Sequence, residues 1–254
     1  MAGWMVNLPR IAPAIFLALC CSVISQPVRA QSSASNETPV VVESNGWQLM
    51  GDLNLPESDD QAPAVLMLNQ AAGDRTAYAD FARHLAARGV ASLRLDLPGH
   101  GESVNQGRFV PGERQRDPLI WDAEADIFAA YEFLAMHEQV DAERVAIVGA
   151  SYSGEEMAEA GRLHGYAAAY VALSPGSFGD ESITGIDASG APWLFVTSRD
   201  ERFLQEIRAA VTEQSESVEQ IIVPGAGHAS NLLSEHPDLA QRIAVWLDQH
   251  LKVE

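Results

Sequence analysis

Residues 144–154 read R-V-A-I-V-G-A-S-Y-S-G. Val145, Ala146, Ile147 and Val148 form a short apolar run, the signature of a parallel strand buried on both faces. Gly149 ends the run, Ser151 follows two residues on, and a helix is expected at once. The pattern Gly149-x-Ser151-x-Ser153-Gly154 is close to G-x-S-x-G, a sharp strand-to-helix turn that strains the backbone of its serine and exposes the hydroxyl. Such a turn needs small residues around the serine, because neighbouring backbones touch. Ser153 stands where the pattern has its second glycine, with Gly154 beside it. Ser151 is therefore a candidate nucleophile.

Outward from this stretch the chain alternates strands and helices. A strand begins at Val40, Asn45-Gly46 signals a hairpin, and Trp47, Leu49, Gly51, Leu53 and Leu55 alternate with Gln48, Met50, Asp52 and Asn54 as in a half-buried strand. Buried-strand runs follow over 64–68, 90–95, 168–173, 193–196 and 218–223. Helical periodicity marks 119–136 and 201–211, a helix between 74 and 89 stopped by Gly89, and a last helix starting near Pro237. Residues 177–190 read as a loop too short for a helical cap domain, and 104–118 as an irregular, solvated segment carrying Arg108, Arg114 and Arg116. A leading hairpin followed by alternating strands and helices implies an α/β class, with a mostly parallel sheet and helices on both faces.

The chain has 254 residues and a formal charge of −19. That length can bury one large core, so residues 40–254 are expected to form a single domain. The acidic balance argues against nucleic acid and against an anionic membrane surface as partners. Residues 1–30 differ in kind: Arg10 precedes an apolar run over 11–24 that is too short to span a membrane, and Val28-Arg29-Ala30 offers small residues where a signal peptidase reads. The expectation is a signal peptide over 1–30 cut near Ala30, a flexible serine-rich leader over 31–39, export to the periplasm or medium, and no stable membrane insertion of the mature chain. Both cysteines, Cys20 and Cys21, lie in the expected signal peptide, so the mature chain carries no disulfide and no thiolate metal site. No glycine-rich phosphate loop and no metal-ligand spacing stand out, and neither metal nor organic cofactor is expected.

In open parallel sheets ligands bind at the carboxyl ends of the strands. Ser151, Asp200 and His228 each fall just past the end of an expected strand, in the chain order Ser, Asp, His. With the elbow G-A-S-Y-S-G, the turn D-L-P-G-H-G-E-S from Asp96, the S-R-D ending at Asp200 and the G-A-G-H-A-S-N from Gly225, the chain resembles the α/β-hydrolase superfamily. It is similar to its dienelactone-hydrolase-like and serine-aminopeptidase-like branches, which keep little or no cap. The resemblance covers about residues 40–250.

A serine hydroxyl needs a base at neutral pH, and His228 is the candidate. Asp200 would orient the imidazole and stabilise its charged form. Asp200 also directly precedes an expected helix, where Asp is a favoured N-cap, so Asp180, Asp187 and Glu201 stay open as alternatives. One oxyanion donor is expected from the backbone N–H of Tyr152. The second is expected from Ala71, or from Gln70, in the loop where the family often has His-Gly and this chain has Asn69-Gln70. The resemblance makes His100 a turn residue. The implied activity is hydrolysis of a carboxylic ester, or less readily an amide, of a small-molecule or acyl substrate through an acyl-enzyme. A rival reading, a non-catalytic binding or interaction protein on the same scaffold, is motivated by Ser153 and by Asn69-Gln70.

Overall fold

The computed structural model describes residues 1, 3, 37–58, 60–112, 118–176, 178–214 and 218–252. The expected signal peptide over 1–30, the first part of the leader, Arg114 and Arg116 lie outside the described residues, apart from Met1 and Gly3. Ser35–Glu254 forms one compact unit.

Within it, strands β1 (Glu37–Ser44), β2 (Trp47–Asn54), β3 (Ala62–Leu68), β4 (Ala91–Leu95), β5 (Val140–Ala150), β6 (Ala169–Leu173), β7 (Trp193–Ser198) and β8 (Val218–Val223) form one sheet. Its order is β1-β2-β4-β3-β5-β6-β7-β8. β1 and β2 are an antiparallel hairpin, and β2 runs antiparallel to β4. All pairings from β4 through β8 are parallel. The hairpin turn has Asn45 and Gly46 at φ 48° and 80°, the positive values that match the twist of the strands it joins. The helices are α1 (Ala79–Ala86), α2 (Glu124–Ala135), α3 (Tyr152–His164), α4 (Asp180–Ser189), α5 (Leu204–Gln214), α6 (Asn231–Glu235) and α7 (Leu239–His250).

The strand period of two divides the core into two layers. Leu66, Leu68, Val145, Ile147 and Tyr170 face one layer, covered by Ile127 and Leu134 of α2, Met157 of α3, Ile183 and Ile186 of α4 and Val211 of α5. Val65, Met67, Ala146, Val148 and Val171 face the other, covered by Phe81 and Leu85 of α1, Leu232 of α6 and Ile243 and Leu247 of α7. Burial on both faces is why the central strands read as unbroken apolar runs, and it fixes the direction in which every strand end points.

Several boundaries differ from the sequence reading. Glu37, Thr38 and Pro39 are in β1, not in the leader, because the whole of β2 as far as Asn54 needs an antiparallel partner. Residues 177–190 hold helix α4 rather than a loop; Ile183 and Ile186, one turn apart, are the large apolar residues of its buried face, beside Ser182 and Gly185. The expected 119–136 helix is a short 3-10 turn (Pro118–Ile120) and then α2. The helix expected from 201 starts only at Leu204, which leaves Asp200 and Glu201 in the loop after β7.

Candidate active site

The turn after β5 is held by backbone contacts. Ser151 has φ 55° and ψ −122°, a conformation that costs on the order of 1–3 kcal/mol and persists only where surroundings over-determine it. Here Ser151 N–H donates to Leu173 O (3.0 Å), while Ser151 O accepts from Gly154 N–H (3.0 Å) and Gly176 N–H (2.9 Å). A Cβ on Gly149 would overlap the carbonyl of Ser153, so no other residue fits there without moving the helix. Ser153 is fully buried. Its Oγ accepts from Ala150 N–H (2.8 Å) and lies in donating range of Ala150 O (3.0 Å) and Leu68 O (3.3 Å). The serine in place of the motif's second glycine thus hydrogen-bonds across the elbow to Ala150.

His228, in the loop after β8, places Nε2 2.9 Å from Ser151 Oγ. Its Nδ1 meets Glu201 Oε1. Glu201 is 6% exposed, and its Oε2 accepts from Ser174 Oγ at 2.8 Å, with Ser198 Oγ at 3.3 Å. The structure therefore brings together Ser151 and His228 but not Asp200, which is exposed. The carboxylate against His228 is Glu201, one of the alternatives left open by the sequence. The reason is local. Arg199 and Asp200 still pair along β8, donating their N–H groups to Val223 O (2.8 Å) and Gly225 O (2.9 Å), and the chain turns inward only after them. The extra methylene of glutamate then spans to the imidazole. Asp200 does not cap α5 either, since that helix begins four residues later. Asp187 is exposed on α4, and Asp180 opens the same helix.

Tyr152 is the first residue of α3, where N–H groups have no intrahelical acceptor. Its phenol is buried, and burial pushes its pKa well above the ordinary tyrosine value, so it stays neutral. Ala71 lies inside the turn that Gly73 N–H closes on Gln70 O (3.0 Å). That turn is clamped from both sides. Asn69, buried, accepts from Leu97 N–H (2.8 Å) through Oδ1 and donates to Gln70 O (2.9 Å). Gln70 Oε1 accepts from both the N–H and the Oγ of Ser230, each at 3.0 Å, two residues beyond His228. Asn69-Gln70 accordingly joins the expected oxyanion loop to the turn after β4 on one side and to the histidine loop on the other. Both links are side-chain contacts between distant segments, and neither carried a sequence signal.

The D-L-P-G-H-G-E-S turn is a brace. Buried Asp96 accepts from the N–H groups of Arg75 (2.7 Å) and Glu102 (3.0 Å) and pairs with the Arg75 guanidinium, which also bonds Asp52 (3.0 Å) and Glu102. His100 bonds Pro98 O through Nδ1 (2.9 Å) and stacks between Phe109 and Tyr152. A cavity of about 580 Å³ opens beside this brace, lined among others by Ala72, Gly73, Arg75, His100 and Phe109, with exposed Arg108 at its rim. Phe203 is 54% exposed and its ring centre lies 5.8 Å from that of His228. Among the described residues no cluster of histidine, cysteine or carboxylate side chains could hold a metal ion.

Comparison with known proteins gives the family and the fold. Residues 45–225 match the family model of X-Pro dipeptidyl-peptidase (S15 family). The chain belongs to that family. Its neighbours in fold are hydrolases of the α/β-hydrolase superfamily. Dienelactone hydrolase from Anabaena variabilis is 20% identical with a TM-score of 0.62, covering 85% of this chain and 96% of that one. Est1E from Butyrivibrio proteoclasticus with bound ferulic acid is 17% identical with a TM-score of 0.63, covering 82% and 98%. 2,6-Dihydroxy-pseudo-oxynicotine hydrolase is 17% identical with a TM-score of 0.66, covering 85% and 68%. These likenesses show the fold. An uncharacterized protein of Mycobacterium tuberculosis (Rv2307c) is 34% identical over 167 residues, 64% of this chain and 54% of its own length. The chain thus spans about half the length of the curated relatives it matches. Family and fold together place the S15-family chain on the α/β-hydrolase fold.

Proposed function

We propose that this S15-family chain is an exported serine hydrolase that cleaves a carboxylic ester through an acyl-enzyme, using Ser151, His228 and Glu201. The observation that carries the reading is the continuous relay from Ser151 Oγ to His228 Nε2 and from His228 Nδ1 to Glu201. In the first step the Ser151 proton passes to Nε2 as Oγ attacks the carbonyl carbon. The resulting imidazolium is held by the side chain of Glu201. The tetrahedral oxyanion is received by the N–H groups of Tyr152 and Ala71, with Gln70 N–H the alternative second donor. His228 then returns its proton to the departing alcohol, and the acyl-Ser151 ester forms. Water, deprotonated by the same imidazole, hydrolyses it.

Exposed Phe203, beside His228, offers an apolar surface next to the group that would protonate the leaving alcohol. The open site, with His228 and Ser151 both half-buried, favours small or exposed acyl esters. The family's description favours a second reading, cleavage of a peptide amide. The expected export, with residues 1–30 removed near Ala30, belongs to this proposal too and is checked by the mass of the mature protein.

The test is labelling with a fluorophosphonate, whose tetrahedral adduct mimics the transition state, followed by a panel of small esters and X-Pro dipeptide amides. The expected result is one label at Ser151, lost in Ser151→Ala, with esters turned over faster than amides. A folded protein that takes no label, or takes it at Ser153 or Ser174, would count against the triad. Faster turnover of X-Pro amides would replace ester by amide as the substrate class.

A further inference from the structure

The turn Ser174-Pro175-Gly176 that ends β6 contributes no member to the triad, yet it touches two parts of the machinery. We infer that Ser174 is a positioning residue which fixes the carboxylate of Glu201, and that its turn couples the acid to the oxyanion donor; the inference rests on the triad proposed above.

The first contact is the 2.8 Å bond from Ser174 Oγ to Glu201 Oε2. Two hydroxyls lie near that oxygen, but each has one proton. Ser198 Oγ is 2.7 Å from Gly227 O and 3.3 Å from Oε2, so its proton goes to the carbonyl. Ser174 is then the donor that occupies Oε2, while Oε1 faces His228. Both Ser174 and Glu201 are buried, so water does not compete for the carboxylate. A glutamate has one more torsion than an aspartate, and without a second anchor its carboxylate could rotate away from Nδ1.

The second contact is Gly176 N–H to Ser151 O at 2.9 Å. That carbonyl belongs to the Ser151–Tyr152 peptide, whose other end is the Tyr152 N–H. A bond to the oxygen orients the whole planar unit, and therefore the donor. Close packing supports it: a Cβ on Gly176 would stand 3.2 Å from Tyr152 N. Ser174 itself has φ 41°, so the turn is built in an uncommon backbone conformation that directs both its side chain and the Gly176 amide. No proton is transferred by Ser174; its hydroxyl proton stays on Oγ through the cycle.

The test uses the whole purified protein. Ser174→Ala and Ser174→Gly both remove the hydroxyl, and glycine accepts the positive φ without strain. In each, kcat on a small neutral ester should fall about 10-fold, as expected for loss of a hydrogen bond to a charged group, with KM within about twofold. In a Glu201→Gln background the same substitutions should add less than about twofold. A loss seen with alanine alone reports backbone strain, and an equal loss in both backgrounds reports general structure; either overturns the inference. The second readout does not need turnover. The downfield proton resonance of His228 Nδ1–H should move in Ser174→Gly and not move further when Glu201→Gln is already present. An unmoved resonance overturns the role of Ser174, whereas retained turnover in Ser151→Ala overturns the triad itself.

Discussion

The Ser151 turn and the Glu201 loop lie on opposite sides of one imidazole and are built by different physics. Around Ser151 the conformation is imposed by backbone: three peptide hydrogen bonds, a strained φ and a glycine that nothing can replace. Around Glu201 it is imposed by side chains: a buried carboxylate held by Ser174 and His228 in a loop with no regular structure. Steric constraint leaves a short motif in the sequence, since only small residues satisfy it. Side-chain capture leaves none, because any carboxylate within reach of the histidine can serve.

The sharpest way to break that comparison is at the acid. Glu201→Gln keeps the shape but presents an amide to Nδ1, and kcat should fall about 10³-fold, short of the loss of about 10⁴ seen for the equivalent change in a serine protease. Asp200→Asn, one residue away, should stay within about twofold, because its side chain is exposed while Glu201 is the carboxylate at Nδ1. Steady-state kinetics of the pair decides it, and a reversed ranking would restore Asp200 as the acid.

Gly149→Ala probes the opposite side. A Cβ there collides with the Ser153 carbonyl, so the elbow must open. Fluorophosphonate labelling should slow by about 10²-fold, the scale on which small misplacement of reacting groups acts, and the melting temperature should drop. Normal labelling would mean the turn is looser than its contacts indicate.

Gln70→Ala cuts the link between the oxyanion loop and Ser230. The expected loss is about 10-fold in kcat, with two hydrogen bonds removed at a half-buried position, and Gln70→Glu, which keeps the accepting oxygen, should recover part of it. Equal losses in both variants would show that the amide nitrogen, not the oxygen, matters.

The smallest effect concerns stability. Glu156 of α3 is buried beneath the elbow, accepts Ala123 N–H at 3.1 Å, and burial pushes its pKa from 4.5 up to about 8. Between those values the folded protein holds a proton that the unfolded chain has released, so stability is greatest below pH 4.5 for this group and is lost as pH rises through about 8. Glu156→Gln removes that loss. Its melting temperature should exceed the native one by about 5 °C at pH 8.5, roughly the response of a domain this size to a few kcal/mol or less, and approach it at pH 5. A constant offset at both pH values would exclude titration as the cause.

How far the sequence reached follows the same division. The apolar runs of β3 to β7 were legible because strands buried on two faces need them, and Asn45-Gly46 was legible because a tight hairpin needs positive φ. Helix α4 was not, since two isoleucines one turn apart are too weak a periodic signal in a segment rich in serine, threonine and glycine. Ser151 and His228 could be named because each stands in a glycine-rich turn at the end of a strand run. Their contact across 77 positions of chain had to be built by the sheet.

By itself the sequence determined the α/β class, the strand-to-helix turn at Ser151 and the histidine that faces it, because backbone sterics and two-sided burial restrict which residues can stand there. Only the tertiary structure decided that Glu201 rather than Asp200 meets the imidazole, that Ser174 anchors it, and that Gln70 reaches Ser230. Those choices depend on where β8 releases the backbone of Arg199 and Asp200 and on the reach of single side chains between segments far apart in the chain. Such distances are set by packing, and no local pattern of residues encodes them.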